Sequence, residues 1–261
     1  MTEPHLKPVV LCFSGLDPSG GAGIQADIEA ISAQHAHATS IITALTVQDT
    51  TNVYEFKSVN ADLISKQAEA IFNDFNISTI KIGMLGDIKV VEAIHNILIK
   101  HPDIPVIFDP ILAAGGGTNL VNKEIVNAIN KLILPCCFII TPNIIEAQKL
   151  TNETDLNNAA EKLLNYGTKN ILITGTHADT RQVEHKLFGN DSSVKIFSYS
   201  RLKNKYHGSG CTLTASIAAL IAHQQTIEMA THHALDYCYE TLVHANKLGQ
   251  GQLIPQRKLK A

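Results

Sequence analysis

The chain has little of what marks several large classes of protein. Only 17% of its 261 residues are charged, and 21 Lys+Arg against 24 Asp+Glu leave a net charge of −3. Its basic residues gather only in the short run Arg257-Lys258-Leu259-Lys260, which speaks against nucleic acid as the main partner. There are five cysteines (Cys12, Cys136, Cys137, Cys211 and Cys238), an odd number without framework spacing. Reduced thiols in a cytoplasmic setting are therefore expected, not a disulfide scaffold. No zinc-ligand spacing is present, and Cys136 and Cys137, adjacent in an expected strand, should face opposite ways as a poor chelating pair. No apolar run reaches the roughly 18 residues that cross a bilayer, and Val9 to Phe13 is too short for a signal peptide. Without a low-complexity linker or internal repeat, one domain over residues 1–261 is expected. The remainder, 45% hydrophobic, is an ordinary soluble globular composition able to bury a sizeable core.

What is present is alternation. Short β-branched runs (Val9–Ser14, Ser40–Leu45, Val53–Val59, Thr79–Ile82, Val106–Asp109, Cys137–Thr141, Asn170–Thr174) alternate with helical patterns near Gly23–Gln34, Ala61–Phe75, Lys89–Lys100, Lys123–Leu134, Ile144–Leu150 and Asn157–Tyr166. Near-continuous apolar strands between helices predict a mostly parallel sheet covered on both faces. Glu184–Phe188 and Val194–Tyr199 read as an edge hairpin. In the helical last third, Leu213, Ile217, Leu220 and Ile221 form one apolar stripe, and Ile227, Ala230, Ala234 and Tyr237 begin a second. Parallel sheets bind ligands beyond the carboxyl ends of their strands. Polar or glycine-bearing segments fall there: Gly15-Leu16-Asp17, Thr46-Val47-Gln48, Gly83-Met84-Leu85, Asp109-Pro110-Ile111, Thr141-Pro142-Asn143 and Gly175-Thr176-His177.

Three motifs carry chemistry. Gly208-Ser209-Gly210-Cys211 opens a long helix, where glycines and unpaired N–H groups can cradle a phosphoryl group. At such a helix start the Cys211 thiol is expected to titrate low and act as base or nucleophile; the plain alternative is a buried small hydrophobe. Gly15 to Gly23 has P-loop glycine spacing but no Lys-Ser or Lys-Thr, and its dinucleotide-like glycines lie too far from the strand. The better reading is a backbone that approaches a flat ligand, with Asp27 on the inner face of the following helix. Asp109 and Glu146 follow two strand ends and suit a hydrated Mg²⁺; alternatively Asp109 stabilises its proline turn and Glu146 caps its helix.

The ordered set Gly15-Leu16-Asp17-Pro18-Ser19-Gly20-Gly21-Ala22-Gly23, Thr43 to Thr50, Lys81-Ile82-Gly83-Met84-Leu85, Asp109-Pro110, Thr141 to Ala147 and Gly208 to Thr212 resembles the hydroxymethylpyrimidine/phosphomethylpyrimidine kinases of thiamine biosynthesis, members of the ribokinase-like superfamily. The resemblance spans about residues 9 to 245. It implies a three-layer α/β/α sandwich with a mostly parallel central sheet, a homodimer, and ATP with Mg²⁺ phosphorylating a pyrimidine hydroxymethyl group, then its monophosphate. Carried over, Gln48 would bond the aminopyrimidine in a pocket lined by Gly15, Ala22, Asp27, Thr46, Met84 and Ile111. Asp109 and Glu146 would serve the metal, Asn143, Thr174, Gly175 and His177 the nucleotide, and Gly208, Ser209, Gly210 and Cys211 the anion hole and base. Two departures touch ATP affinity: Thr174-Gly175-Thr176-His177 where the family usually has Lys-Gly-Gly-His, and Tyr206 where it usually has Thr. A pyridoxine/pyridoxal kinase shares the implied fold, and a pyrimidine-binding protein with little catalysis is the alternative from another class.

Overall fold

The computed structural model describes residues 7–113, 117, 120–176, 180–190 and 193–258. Nine strands form one sheet: β1 (Val9–Leu16), β2 (His37–Gln48), β3 (Val53–Ser58), β4 (Ile77–Ile82), β5 (Val106–Phe108), β6 (Ile139–Ile140), β7 (Asn170–Ile173), β8 (Gln182–Gly189) and β9 (Val194–Ser200). Their order is β3-β2-β1-β4-β5-β6-β7-β8-β9. In the stretch β2-β1-β4-β5-β6-β7 every neighbouring pair is parallel; β3 runs against β2 at one end, and at the other β8 runs against both β7 and β9.

Successive side chains of a strand point to opposite faces, so each apolar strand feeds two cores. Leu11 and Phe13 of β1 pack in one core, with α2 (Ala61–Asp74), α3 (Ile88–Leu98), α4 (Lys123–Ala128), α5 (Ile144–Thr151) and α6 (Leu156–Asn165). Val10 and Cys12 of the same strand pack in the other, with α1 (Gly23–Ala33), α7 (Ser209–Ala222) and α8 (Ile227–Val243). This is the expected three-layer α/β/α arrangement. Asn60, Asp87, Asn122, Asp155 and Thr226 each accept a first-turn N–H at their helix N-terminus, a cap worth about 1 kcal/mol.

The structure corrects three local expectations. The helix expected over Lys123–Leu134 is α only to Ala128, widens into a π turn at Ile129–Ile133 and tightens into a 3₁₀ turn at Leu134–Cys136. Pro135 lacks the N–H that would continue the helix. Cys136 therefore lies in that turn and not in a strand, and the thiols of Cys136 and Cys137 turn back to the carbonyls of Leu132 (3.6 Å) and Ile133 (3.2 Å). In α7 the apolar character is not one stripe: Cys211 to Ala222 are all buried, because the sheet, α1 and α8 surround the helix. Arg257, in the short basic run, is buried and only 1% exposed.

Arg257 ends a strap that returns across the site. Gln252 N–H donates to the Thr50 carbonyl (2.8 Å) and His207 N–H to the Leu253 carbonyl (2.8 Å). Arg257 Nε then donates to Thr212 Oγ1 (2.8 Å), Nη1 reaches Glu29 (3.3 Å), and Nη2 donates to the Gly21 carbonyl. The Tyr237 hydroxyl donates to the Arg257 carbonyl (2.8 Å).

Candidate active site

The loops beyond the parallel strands meet the start of α7. In the first loop, Asp17 organises the backbone: Oδ1 accepts from Ser19 N–H (2.9 Å) and Oδ2 from Ala22 N–H (2.8 Å). His207 Nε2 lies 2.7 Å from Asp17 Oδ2. Burial acts to raise the Asp17 carboxyl, but the bonds from His207 and Ser19 outweigh it and hold it below the ordinary carboxylate range. Gly21 has to be glycine, since a Cβ there would collide with the His207 ring.

The residues expected to read a ring come together here. A Cβ on Gly15 would sit 3.3 Å from Met84 Sδ. Met84 packs with Ala44, Val53 and Leu120 in a small apolar cluster against which Ile111 rests. The Thr46 hydroxyl donates to the Leu16 carbonyl (2.8 Å). The Gln48 amide spans from Thr46 Oγ1 (3.1 Å) to His207 Nε2 (3.0 Å).

Asp27 departs from the pocket reading. It is wholly buried beneath the loop, where Ser14 Oγ donates to it (2.5 Å) and Lys81 Nζ lies 2.9 Å from its carboxylate oxygens. Lys81, in the middle of β4, is itself wholly buried. Burial acts against its ammonium, yet the charge of Asp27, joined by Cys211 and Asp109, leaves its pKa above the ordinary lysine value. Gly83 covers the pair: a Cβ on it would stand 2.8 Å from both Lys81 Nζ and Ser14 Oγ.

The anion cradle starts at Gly208, whose φ of +80° suits glycine, and no side chain caps the helix it begins. Its first N–H groups and the positive end of the dipole are thus left for an anion. Gly210 brings the helix against Asp109, whose Oδ1 and Oδ2 lie 3.8 and 3.6 Å from a Cβ placed there. The Cys211 side chain hydrogen bonds Asp109 and also receives the Gly23 N–H. The expected low-titrating thiol is not found. Burial, with Asp109 and Asp27 nearby, pushes Cys211 up to about 12, against the lowering effect of Lys81 and Gly23. The helix-start rule holds for a thiol open to water; Cys211 is 5% exposed.

Asp109 Oδ2 is buried with no hydrogen-bond partner, and burial raises this carboxyl above its ordinary range. Glu146 is likewise raised by burial and by the charge of Asp109. Glu146 also closes a capping box, accepting from Asn143 N–H (2.9 Å) while Asn143 Oδ1 accepts from Glu146 N–H (3.0 Å), so the helix-cap alternative describes part of its work. An orphaned buried oxygen beside a second repelling carboxylate fits a hard cation. Among the described residues no group of three or more His, Cys, Asp or Glu could cage a metal. Asn143 bridges in parallel to Thr174, so these two residues, both expected to serve the nucleotide, stand side by side. Gly175 lies so close under Glu184 that a Cβ would collide with its carbonyl. His177 lies outside the described residues.

Four residues at the site carried no assigned role in the sequence reading: Asp17, Lys81, His207 and Arg257. A lysine in the apolar strand Ile77-Ser78-Thr79-Ile80-Lys81-Ile82 was the one readable signal, since an unpaired charge there cannot persist. The other three depend on contacts between distant loops.

The chain matches the family Phosphomethylpyrimidine kinase over residues 17–256. It is 34% identical over 251 residues to the hydroxymethylpyrimidine/phosphomethylpyrimidine kinase of Haemophilus influenzae, covering 93% of each chain. To the Rhizobium meliloti protein of the same name it is 32% identical over 253 residues, covering 95% of each. The crystal structure of phosphomethylpyrimidine kinase from Clostridium difficile superposes with a TM-score of 0.80 at 32% identity, over 90% of this chain and 100% of that one. The ADP complex of Bacillus subtilis pyridoxal kinase shares the fold, with a TM-score of 0.88 over 97% of this chain and 98% of that one at 22% identity. This chain belongs to the phosphomethylpyrimidine kinase family.

Proposed function

We propose that the protein transfers the terminal phosphoryl group of ATP to 4-amino-5-hydroxymethyl-2-methylpyrimidine and then to its monophosphate, a supply reaction of thiamine biosynthesis. The observation that carries this reading is the junction at His207: the Gln48 amide touches its ring, and the next residue, Gly208, begins the uncapped helix. A flat-ring site and an anion cradle thus share one wall, as a transfer from phosphate to a ring substituent requires.

Phosphoryl transfer is mostly positioning and charge stabilisation. In this reading Gln48 orients the ring against Gly15, Ala22, Thr46, Met84 and Ile111. Gly208, Ser209 and Gly210 hold the transferring group by backbone N–H, with Asn143, Thr174, Gly175 and His177 on the nucleotide side. Asp109 and Glu146 would hold Mg²⁺, which when bound would neutralise phosphate oxygens and the carboxylate charge that helps keep the Cys211 thiol up. Cys211 would accept the hydroxyl proton in its thiolate form, having first given its own proton to solvent, a contribution of about 10²–10⁴-fold. Asp27 takes a supporting place beneath the pocket with Lys81. A cytoplasmic homodimer completes the reading, supported by the resemblance and by five free thiols.

The test measures ADP release with hydroxymethylpyrimidine and, in parallel, with pyridoxal. ADP release that depends on the pyrimidine, at the higher kcat/KM, is expected. Release with pyridoxal alone, or binding of the pyrimidine without turnover, refutes the reading.

A further inference from the structure

The Gln48 amide meets two groups whose hydrogen-bonding roles are already decided. The Thr46 hydroxyl has one hydrogen and two oxygens in reach, the Leu16 carbonyl at 2.8 Å, which can only accept, and the Gln48 amide at 3.1 Å; the shorter contact takes it. Whatever Gln48 presents to Thr46 Oγ1 at 3.1 Å must therefore donate. At the other end, His207 Nε2 stands 2.7 Å from Asp17 Oδ2. Asp17 is an ionised acceptor with its two oxygens already receiving Ser19 and Ala22 N–H groups, so His207 Nε2 carries a hydrogen. Whatever Gln48 presents to it at 3.0 Å must accept. An amide with its oxygen toward Thr46 and its nitrogen toward His207 sets donor against donor at one end and acceptor against acceptor at the other. The reverse flip lets the amide N–H donate to Thr46 Oγ1 and sets its carbonyl to share the one Nε2 hydrogen with Asp17 in a three-centre bond; oxygen and nitrogen of an amide are told apart only by such networks.

We propose that Asp17 and His207 form a positioning pair that locks the Gln48 amide with its NH₂ on Thr46 and its carbonyl on His207, and that this lock sets the ring preference of the site. One N–H and one carbonyl lone pair of Gln48 then remain in a fixed order. They match a ring edge that offers an acceptor nitrogen beside an amino donor, and they mismatch the same edge read in reverse. His207 holds this order from the loop that starts the anion cradle, and Asp17 holds His207 from the loop under the ring. Both are nearly buried, at 8% and 2% exposed, so water offers little substitute.

The proposal rests on Gln48 as the ring-reading side chain, and its tests separate the two ideas. In the unliganded protein, ¹⁵N NMR of His207 should show hydrogen on Nε2, and the Gln48 amide protons should give nuclear Overhauser contacts to the Thr46 methyl. A His207 carrying hydrogen on Nδ1 alone, or amide protons facing the His207 ring instead, overturns the lock whatever the substrate is. In kinetics, His207→Leu should raise KM for hydroxymethylpyrimidine about tenfold, the order expected when a fixed hydrogen-bonding group loses its partner, with KM for ATP little changed. His207→Gln, which can present an N–H in place of Nε2–H, should recover most of that loss. The ratio of kcat/KM for hydroxymethylpyrimidine over pyridoxal should fall in His207→Leu. In the double variant with Gln48→Leu, the pyrimidine KM should stay within about twofold of Gln48→Leu alone, because the histidine acts through the amide. Multiplying losses would overturn the proposal. A parent protein inactive on the pyrimidine refutes the proposed function, while the NMR result still decides the lock.

Discussion

Replacing Lys81 by methionine isolates the energetics beneath the pocket. The side chains of Lys81 and Asp27 are 0% exposed, so Lys81→Met leaves a carboxylate in the dry interior with the Ser14 hydroxyl as its remaining donor. Removing one partner of a buried ion pair costs about 3–5 kcal/mol, whereas replacing both partners by apolar side chains is often nearly neutral. Asp27→Leu alone should cost a similar amount by stranding the ammonium. The double variant Asp27→Leu/Lys81→Met should instead lie within about 2 kcal/mol of the parent, the residue being the Ser14 hydroxyl left without its acceptor. Chemical unfolding followed by circular dichroism reads these differences. In melting temperature each single variant should fall on the order of 10 °C. Additive single losses, about 6–10 kcal/mol in the double variant, would refute the argument. So would a Lys81→Met protein as stable as the parent, since the carboxylate would then have to find a partner the fold does not show.

Gln48→Leu should lose about 1–3 kcal/mol of pyrimidine binding by calorimetry, and unchanged affinity removes Gln48 from the site. Asp109→Asn should keep a near-native melting temperature but require more Mg²⁺ for turnover; a variant that unfolds makes Asp109 structural. Cys211→Ala should fold, bind the pyrimidine and turn over about 10²–10⁴-fold more slowly. In the parent, the buried thiol raised to about 12 should resist iodoacetamide at neutral pH, and rapid alkylation without substrate would contradict its burial. His185 is lowered by burial to about 4, while the unfolded imidazole takes its proton near pH 6.5. The unfolded state thus binds more protons between those values, and stability should fall by about 2 kcal/mol from pH 7 to pH 5 through this group. His185→Gln should flatten that loss in urea titrations at the two pH values.

Much of the architecture could be read because its signals are local. Leu11 and Phe13 alternating with Val10 and Cys12 announce a strand buried on both faces, and Gly208 announces a helix start that Cβ-bearing residues would disfavour. The errors came where a partner far along the chain decides the outcome. Asp27 on the inner face of α1 suggested a ligand contact because Lys81, 54 residues away, is invisible to helical periodicity. Cys211 was expected to titrate low from its position in the helix, but burial beside Asp109 and Asp27 outweighs the helix end. Arg257 sits in a short basic run to which no role was assigned, and only the convergence of Gly21, Thr212 and Glu29 explains its burial. Of the candidate site, the glycine loops and strand-end residues were legible by type and place, while their hydrogen-bonding order was not.

The strap that ends in Arg257 bears on how the protein comes into being. Gly21 and Arg257 are 236 residues apart in the chain, and a ribosome adding about 5–20 residues per second needs on the order of 10–50 s to pass from one to the other. Through that interval strands and helices can assemble in the order of their synthesis, while the Gly21 carbonyl and the Thr212 hydroxyl wait for the guanidinium that joins them. A nascent chain can thus own its sheet before it owns its chemistry. Proteolytic trimming of the strap would return a mature molecule to the same condition, folded and without a fastened site.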